Sequence, residues 1–186
     1  MAEMNRFSRW MINRRTESRG RRALAKLGPN LTVVPTSHVL ELGAGGGGLL
    51  ALVLERYHPA RLVGTDYDPA QKEAAERFLT ARWGKLPPSV ELRTADALAL
   101  PFTDASFDVV FAMMMLHHVE EHLKAYVRRP QALREVRRVL RPGGVFVYSE
   151  ILRRKEIRAT LAELGFTQLF LSAGWRRDHA IFRAPA

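Results

Sequence analysis

The chain has 186 residues, 47% hydrophobic and 26% charged, the size and balance of one soluble globular domain, and no apolar run approaches the roughly 20 residues that cross a bilayer. Cysteine is absent, which excludes disulfides, thiolate metal sites and cysteine nucleophiles; the first residues lack the apolar core of a secretory signal, so a cytoplasmic location is expected. The net charge of +10, from 29 basic against 19 acidic residues, permits nucleic-acid, anionic-lipid or acidic-metabolite partners, and is equally what an arginine-biased genome produces.

Residues 1–28 are the most basic stretch, with Arg6, Arg9, Arg14, Arg15, Arg19, Arg21, Arg22 and Lys26 against only Glu3 and Glu17. Met4, Phe7, Trp10 and Met11, then Ala23, Leu24 and Leu27, fall at helical spacing. That predicts two short helices, separated near Ser18–Gly20 and ended by Gly28-Pro29. From residue 38 the pattern turns regular: strand 38–42, a run of glycines, helix 49–57, strand 61–66, helix 69–83, strand 90–95, strand 107–114, helix 121–140 and strand 144–150. Strands alternating with helices indicate a parallel sheet covered on both faces. The tail, helix 153–164 followed by strands 167–175 and 179–184 around a short polar turn, reads as an antiparallel hairpin added to that sheet.

Glu41-Leu42-Gly43-Ala44-Gly45-Gly46-Gly47-Gly48 stands where the first strand passes into the first helix of the regular part. Glycine suits such a place because the chain turns tightly and a ligand approaches where Cβ atoms would collide. Gly43, Gly45 and Gly48 also satisfy the dinucleotide pattern, with Asp66 about 20 residues on where a ribose-binding acid is expected. A pyrophosphate, however, wants a helix N-terminus and no carboxylate nearby, and Glu41 precedes the first glycine by two residues. A third acid, Asp96, follows the third strand. Acids at the ends of three successive strands suit a ligand bearing a ribose, an exocyclic amine and an ammonium group.

Read in order, VLELGAGGGG (39–48), VGTDYDPA (63–70), ADALALPFTDASFDVV (95–110) and LRPGGVFVYSE (140–150) resemble the motifs of class I S-adenosylmethionine-dependent methyltransferases, over about residues 38–184. The LPF-x-D-x-SFDVV wording is similar to the broad group that includes ubiquinone and menaquinone biosynthesis methyltransferases. The resemblance implies a Rossmann-like α/β fold with a seven-stranded sheet of order 3-2-1-4-5-7-6. It implies S-adenosyl-L-methionine as cofactor, leaving as S-adenosyl-L-homocysteine, held by Glu41, Gly43, Ala44, Gly45 and Gly47. Asp66 would take the ribose hydroxyls, Tyr67 would lie beside the adenine, Asp96 and Ala97 would meet the adenine amine and ring, and Met113 would belong to the pocket wall.

Methyl transfer is an in-line displacement that asks the protein to align the acceptor, exclude water and, where needed, remove a proton. Candidates for the base are His117 and His118 after the fourth strand, with Tyr148 and Glu150 at the end of the fifth; either histidine is also accountable as a hydrogen-bonded structural residue. No His/carboxylate spacing suggests a metal site, and the tetrapeptide associated with methylation of base amines is missing, so a metal-independent enzyme acting on a small-molecule or lipid-like acceptor is expected. The alternatives are an RNA methyltransferase or RNA-binding protein using the basic surface, and an NAD-dependent oxidoreductase. No stable nucleic-acid partner is expected, because basic runs at 124–141 and 153–158 read first as solvated helix faces. Residues 1–36 are expected to form a basic helical cap on a core of residues 37–186 within one domain. A basic helix with an aromatic edge at residues 1–28 can also rest peripherally on an anionic membrane.

Overall fold

The computed structural model describes the backbone of residues 6–122 and 125–186, and the side chains of residues 16–122 and 125–186. Seven strands form one sheet: β1 (His38–Leu42), β2 (Arg61–Asp66), β3 (Val90–Thr94), β4 (Phe107–Met113), β5 (Leu140–Glu150), β6 (Thr167–Ala173) and β7 (Asp178–Arg183). Their order is β3-β2-β1-β4-β5-β7-β6, as expected. The first five are parallel neighbours, whereas β7 runs antiparallel to both β5 and β6.

Among the described residues, five α-helices cover the sheet: α1 (Arg6–Leu27), α2 (Gly48–Tyr57), α3 (Pro69–Trp83), α4 (Arg129–Val139) and α5 (Arg154–Glu163). Alternation along the strands divides the core in two. Val39, Leu62, Val109, Phe111, Val147 and Ile181 pack with α1, α2 and α3, while Leu40, Val63, Val110, Phe146, Tyr148 and Phe182 pack with α4 and α5. Successive strand residues point to opposite faces and both faces are dry, which is why these strands read as continuous apolar runs. The C-terminal ends of β1, β2, β4 and β5 and the start of β7 all lie along one sheet edge.

Two sequence expectations are corrected. The two N-terminal helices are one, α1, unbroken at Gly20. A Cβ at Gly20 would sit 3.1 Å from Leu52 Cδ1 and 3.5 Å from Leu49 Cα, so this glycine lets α1 lie close on α2 instead of ending a helix. The helix expected over 121–140 begins at Arg129, with Pro130 in its first turn. Arg128 offers no side-chain cap; instead Glu120 reaches in from the preceding loop, its Oε1 accepting the N–H groups of Val127, Arg128 and Arg129 at 2.9–3.0 Å. A capping acid nine residues upstream leaves no local signature.

Candidate functional site

Gly43 closes β1 at φ +67°, and a Cβ there would stand 2.6 Å from Met115 Cβ. Glycine is therefore required both by the turn and by the approach of the chain after β4. Ala44 N–H donates to Thr65 O at 2.8 Å and Gly45 N–H to Asp66 Oδ2 at 2.9 Å, which ties the loop to the end of β2. Gly47, expected to contact the cofactor, faces α3 instead: a Cβ would meet Ala75 Cα at 3.2 Å, and the residue does not line the cavity.

That loop forms one wall of a cavity of about 310 Å³. Of the residues expected in the site, Glu41, Gly43, Ala44, Gly45, Asp66, Tyr67, Ala97, Met113, His117 and His118 line it. Asp96 does not. Its Oδ1 accepts the Leu98 N–H at 2.9 Å, closing the turn that brings Ala97 to the wall.

Glu41 is buried, at 4% exposure. Burial, then the neighbouring Asp66 charge, pushes its carboxyl well above the usual carboxylate range. Its Oε2 has no hydrogen-bond partner among the described residues. Asp66 is also raised, chiefly by burial, while the amides of Asp68 and Gly45 oppose that shift. Gln71 Oε1 and Ser149 Oγ are two further buried polar atoms without partners on the same cavity's residues. Buried polar atoms are almost always satisfied, so three left open around one cavity mark where ligand atoms belong.

On the other half, Met114 holds φ +61° and its N–H donates to Ser149 O at 2.8 Å. A non-glycine residue in that region stores strain where β4 turns toward the site. The 3-10 turn that follows, Leu116–Val119, carries the paired histidines. His117 Nδ1 lies 2.9 and 3.0 Å from the two oxygens of Glu150, which is fully buried at the end of β5. Glu150 also accepts N–H bonds from His117, Ile151 and Leu152. Burial pushes its carboxyl up, but His117 and the Ile151 and Leu152 amides outweigh burial and leave it below the usual value. An ionised carboxylate only accepts, so Nδ1 carries a hydrogen and Nε2 is the ring nitrogen left for another partner.

His118 packs against His117 with ring centroids 4.1 Å apart. Although its ring is accessible from the cavity, desolvation by the wall and the adjacent His117 lower its pKa to about 4, so it is neutral near pH 7. Sequence reasoning missed Thr16, Arg19, Gln71, Ser149 and Arg177 as wall residues. Only the folded chain brings them to one cavity.

The basic runs are mostly committed within the molecule. Arg138 joins Glu135 and Asp104, Arg141 joins Asp108, Arg153 joins Glu156, and Arg154 and Arg158 join Asp178. Phe7, Trp10 and Met11, expected as the apolar edge of a cap, and Lys124 of the second run have side chains outside the described residues. No described helix is long and apolar enough to cross a membrane.

Comparison with known proteins adds to this geometry. The family model described as a methyltransferase domain matches residues 40–148. The phthiotriol/phenolphthiotriol dimycocerosates methyltransferase of Mycobacterium tuberculosis (strain H37Rv) is 37% identical over 131 residues, covering 70% of this chain and 44% of that protein. The malonyl-[acyl-carrier protein] O-methyltransferase of Halorhodospira halophila is 36% identical over 131 residues, covering 68% of this chain and 40% of that protein. The chain thus spans less than half the length of these curated relatives. Among solved structures, an S-adenosylmethionine dependent methyltransferase from Mesorhizobium loti shares the fold with a TM-score of 0.70 at 16% identity, covering 87% of this chain and 97% of that one.

Proposed function

This chain belongs to the class I S-adenosylmethionine-dependent methyltransferase family, and we propose that it methylates a small-molecule or lipid-like acceptor without a metal, His117 serving as the base. The observation that carries the reading is the single cavity that joins the glycine loop and its two acids to the His117–Glu150 pair. When bound, S-adenosyl-L-methionine supplies a methyl group already activated on a sulfonium. Its fit rests on the orphaned Glu41 Oε2 and on the close backbone of the Gly43 turn. Glu41 would face its cationic groups, Asp66 its ribose, and Tyr67 and Ala97 its adenine.

The chain's own part is positioning and proton removal. Glu150 fixes the His117 ring by the Nδ1 bond, so the acceptor's proton would be held at Nε2 and the resulting imidazolium stabilised by the carboxylate behind it. Met113, Met115, Leu49 and Val119 give the cavity an apolar wall, which excludes water and suits a lipid-like acceptor. A nicotinamide dinucleotide is served less well, because its pyrophosphate would meet the two carboxyls gathered at the loop.

Calorimetric titration with S-adenosyl-L-homocysteine and with NAD tests the reading. Binding of the first and not the second is expected, with Asp66→Ala weakening it by about 2–3 kcal/mol. Binding of NAD alone would overturn it.

A further inference from the structure

The acids on the cavity wall all lie to one side. Its acids, Glu41, Asp66 and Asp68, all come from β1, β2 and the turn after β2. On the far side, the turn between β6 and β7 contributes Arg177. Three strand spacings separate β1 from β7, about 14 Å.

The Arg177 turn is braced. Gly174 N–H donates to Arg177 O at 2.9 Å, and Arg154 on α5 donates to Gly174 O at 2.7 Å and Trp175 O at 3.3 Å. Asp178, the acid adjacent in sequence, is buried and fully engaged: Oδ1 takes Arg154 Nη1 at 3.0 Å and Oδ2 takes Arg158. Asp178 therefore does not neutralise Arg177, and no carboxylate among the described residues pairs with it. Its charge is felt inward. Burial, then Lys26 and Arg177, lower the pKa of His179 to about 4.

We infer that the acceptor carries an anionic group, carboxylate or phosphate, and that Arg177 holds it while the methylated atom faces His117. The inference rests on the methyltransferase reading, since it needs the donor on the acid-lined side. A planar guanidinium on a braced turn is suited to a two-oxygen anion. The other wall arginine, Arg19, lies on α1 beside Gly20, where α1 packs on α2 and the glycine loop, and so stands on the donor side.

The test titrates dodecanoate, dodecyl phosphate and dodecanol, below micelle-forming concentrations, into protein saturated with S-adenosyl-L-homocysteine. The expected result is that the charged chains bind at least about tenfold tighter than dodecanol. Arg177→Gln should erase that preference with S-adenosyl-L-homocysteine affinity unchanged, and Arg177→Lys should restore part of it. Among the described residues the side chain makes no hydrogen bond or ion pair, so both variants keep the fold. A preference for one anion identifies the group, and a preference for both shows that charge is what Arg177 reads. Three results overturn the assignment: no preference in the wild type (equal binding or none), a preference that survives Arg177→Gln, or a loss of S-adenosyl-L-homocysteine affinity in that variant, which would place Arg177 on the donor's carboxylate. Repeating the titrations without S-adenosyl-L-homocysteine separates the two readings. Failure to bind it overturns the methyltransferase reading, while an Arg177-dependent preference still decides the anion site.

Discussion

A carboxyl group buried beside a second acid, as Glu41 is beside Asp66, holds its proton more tightly in the folded chain than in the unfolded one. Its raised pKa therefore favours folding at low pH, and that advantage is lost as pH rises through the raised value, where an ionised carboxylate must be kept out of water. Glu41→Gln removes the cost. At pH 8 the variant should melt about 3 °C higher than the wild type, the response of a domain this size to a stabilisation of about 1 kcal/mol. The difference should vanish near pH 4.5 in the same thermal scans. The variant should nonetheless bind S-adenosyl-L-homocysteine more weakly by about 1.5–3 kcal/mol, because a neutral amide cannot replace a charge-assisted acceptor. A residue that weakens the free fold and strengthens the complex is one kept for binding. His117 is tested by His117→Asn, whose amide can still donate to Glu150 but offers no basic nitrogen. Methyl transfer should fall by about 10²–10⁴-fold in kcat, with S-adenosyl-L-homocysteine affinity unchanged by calorimetry. Unchanged kcat would remove His117 from the proton path.

At the scale of elements, two acids acting on backbone amides hold the turn after β4 and the start of α4. Glu150 fixes the His117 end, and Glu120 caps α4 while lying 3.8 Å from the fully buried Arg129. Arg129 in turn donates to Leu152 O at 3.1 Å, joining the loops after β4 and β5. Glu120→Ala deletes the cap and takes away one of the two acids, Glu150 and Glu120, that favour the buried Arg129 charge, a change that costs about 3–5 kcal/mol. Chemical denaturation should show that loss, and a cost under about 1 kcal/mol would mean the Arg129 charge is balanced elsewhere. These elements also show what the sequence could reveal. Strands buried on both faces, the Gly43 turn and the acids at strand ends are local patterns, and they were legible. Gly20 was misread because a packing glycine and a helix-ending glycine look alike until the neighbouring helix is in place. Glu120 and Arg177 act across the fold, so their roles depend on which chain ends the sheet brings together. Asp96 shows the same limit: its Oδ1 takes the Leu98 amide two residues on, a local turn that position after β3 does not announce.

Across the whole molecule, α1 decides how much of the N-terminus is separable. The sequence suggested a cap over residues 1–36 on a core beginning at 37, but Ala23, Leu24 and Leu27 are buried in the same apolar cluster as α2 and the sheet. Leu24 and Leu27 alone contribute about 1.5–3 kcal/mol each through burial. Their removal would also expose the α2 face that packs against Gly20, in a fold whose net stability is of order 5–15 kcal/mol. Deleting residues 1–28 should therefore lower the melting temperature by about 10 °C or more, or abolish a cooperative transition. Deleting only residues 1–12 removes Phe7, Trp10 and Met11 and spares the buried Ala23, Leu24 and Leu27. That shorter truncation should keep the melting temperature within a few degrees and bind S-adenosyl-L-homocysteine normally, yet transfer methyl groups poorly, the outcome expected of an acceptor-side cover made by the start of the chain. Thermal melts, calorimetry and a transfer assay on the two truncations decide the matter. A 1–12 deletion with full transfer activity would show that the cover is not made by the start of the chain, and one that unfolds would show that the first turns of α1 carry stability as well.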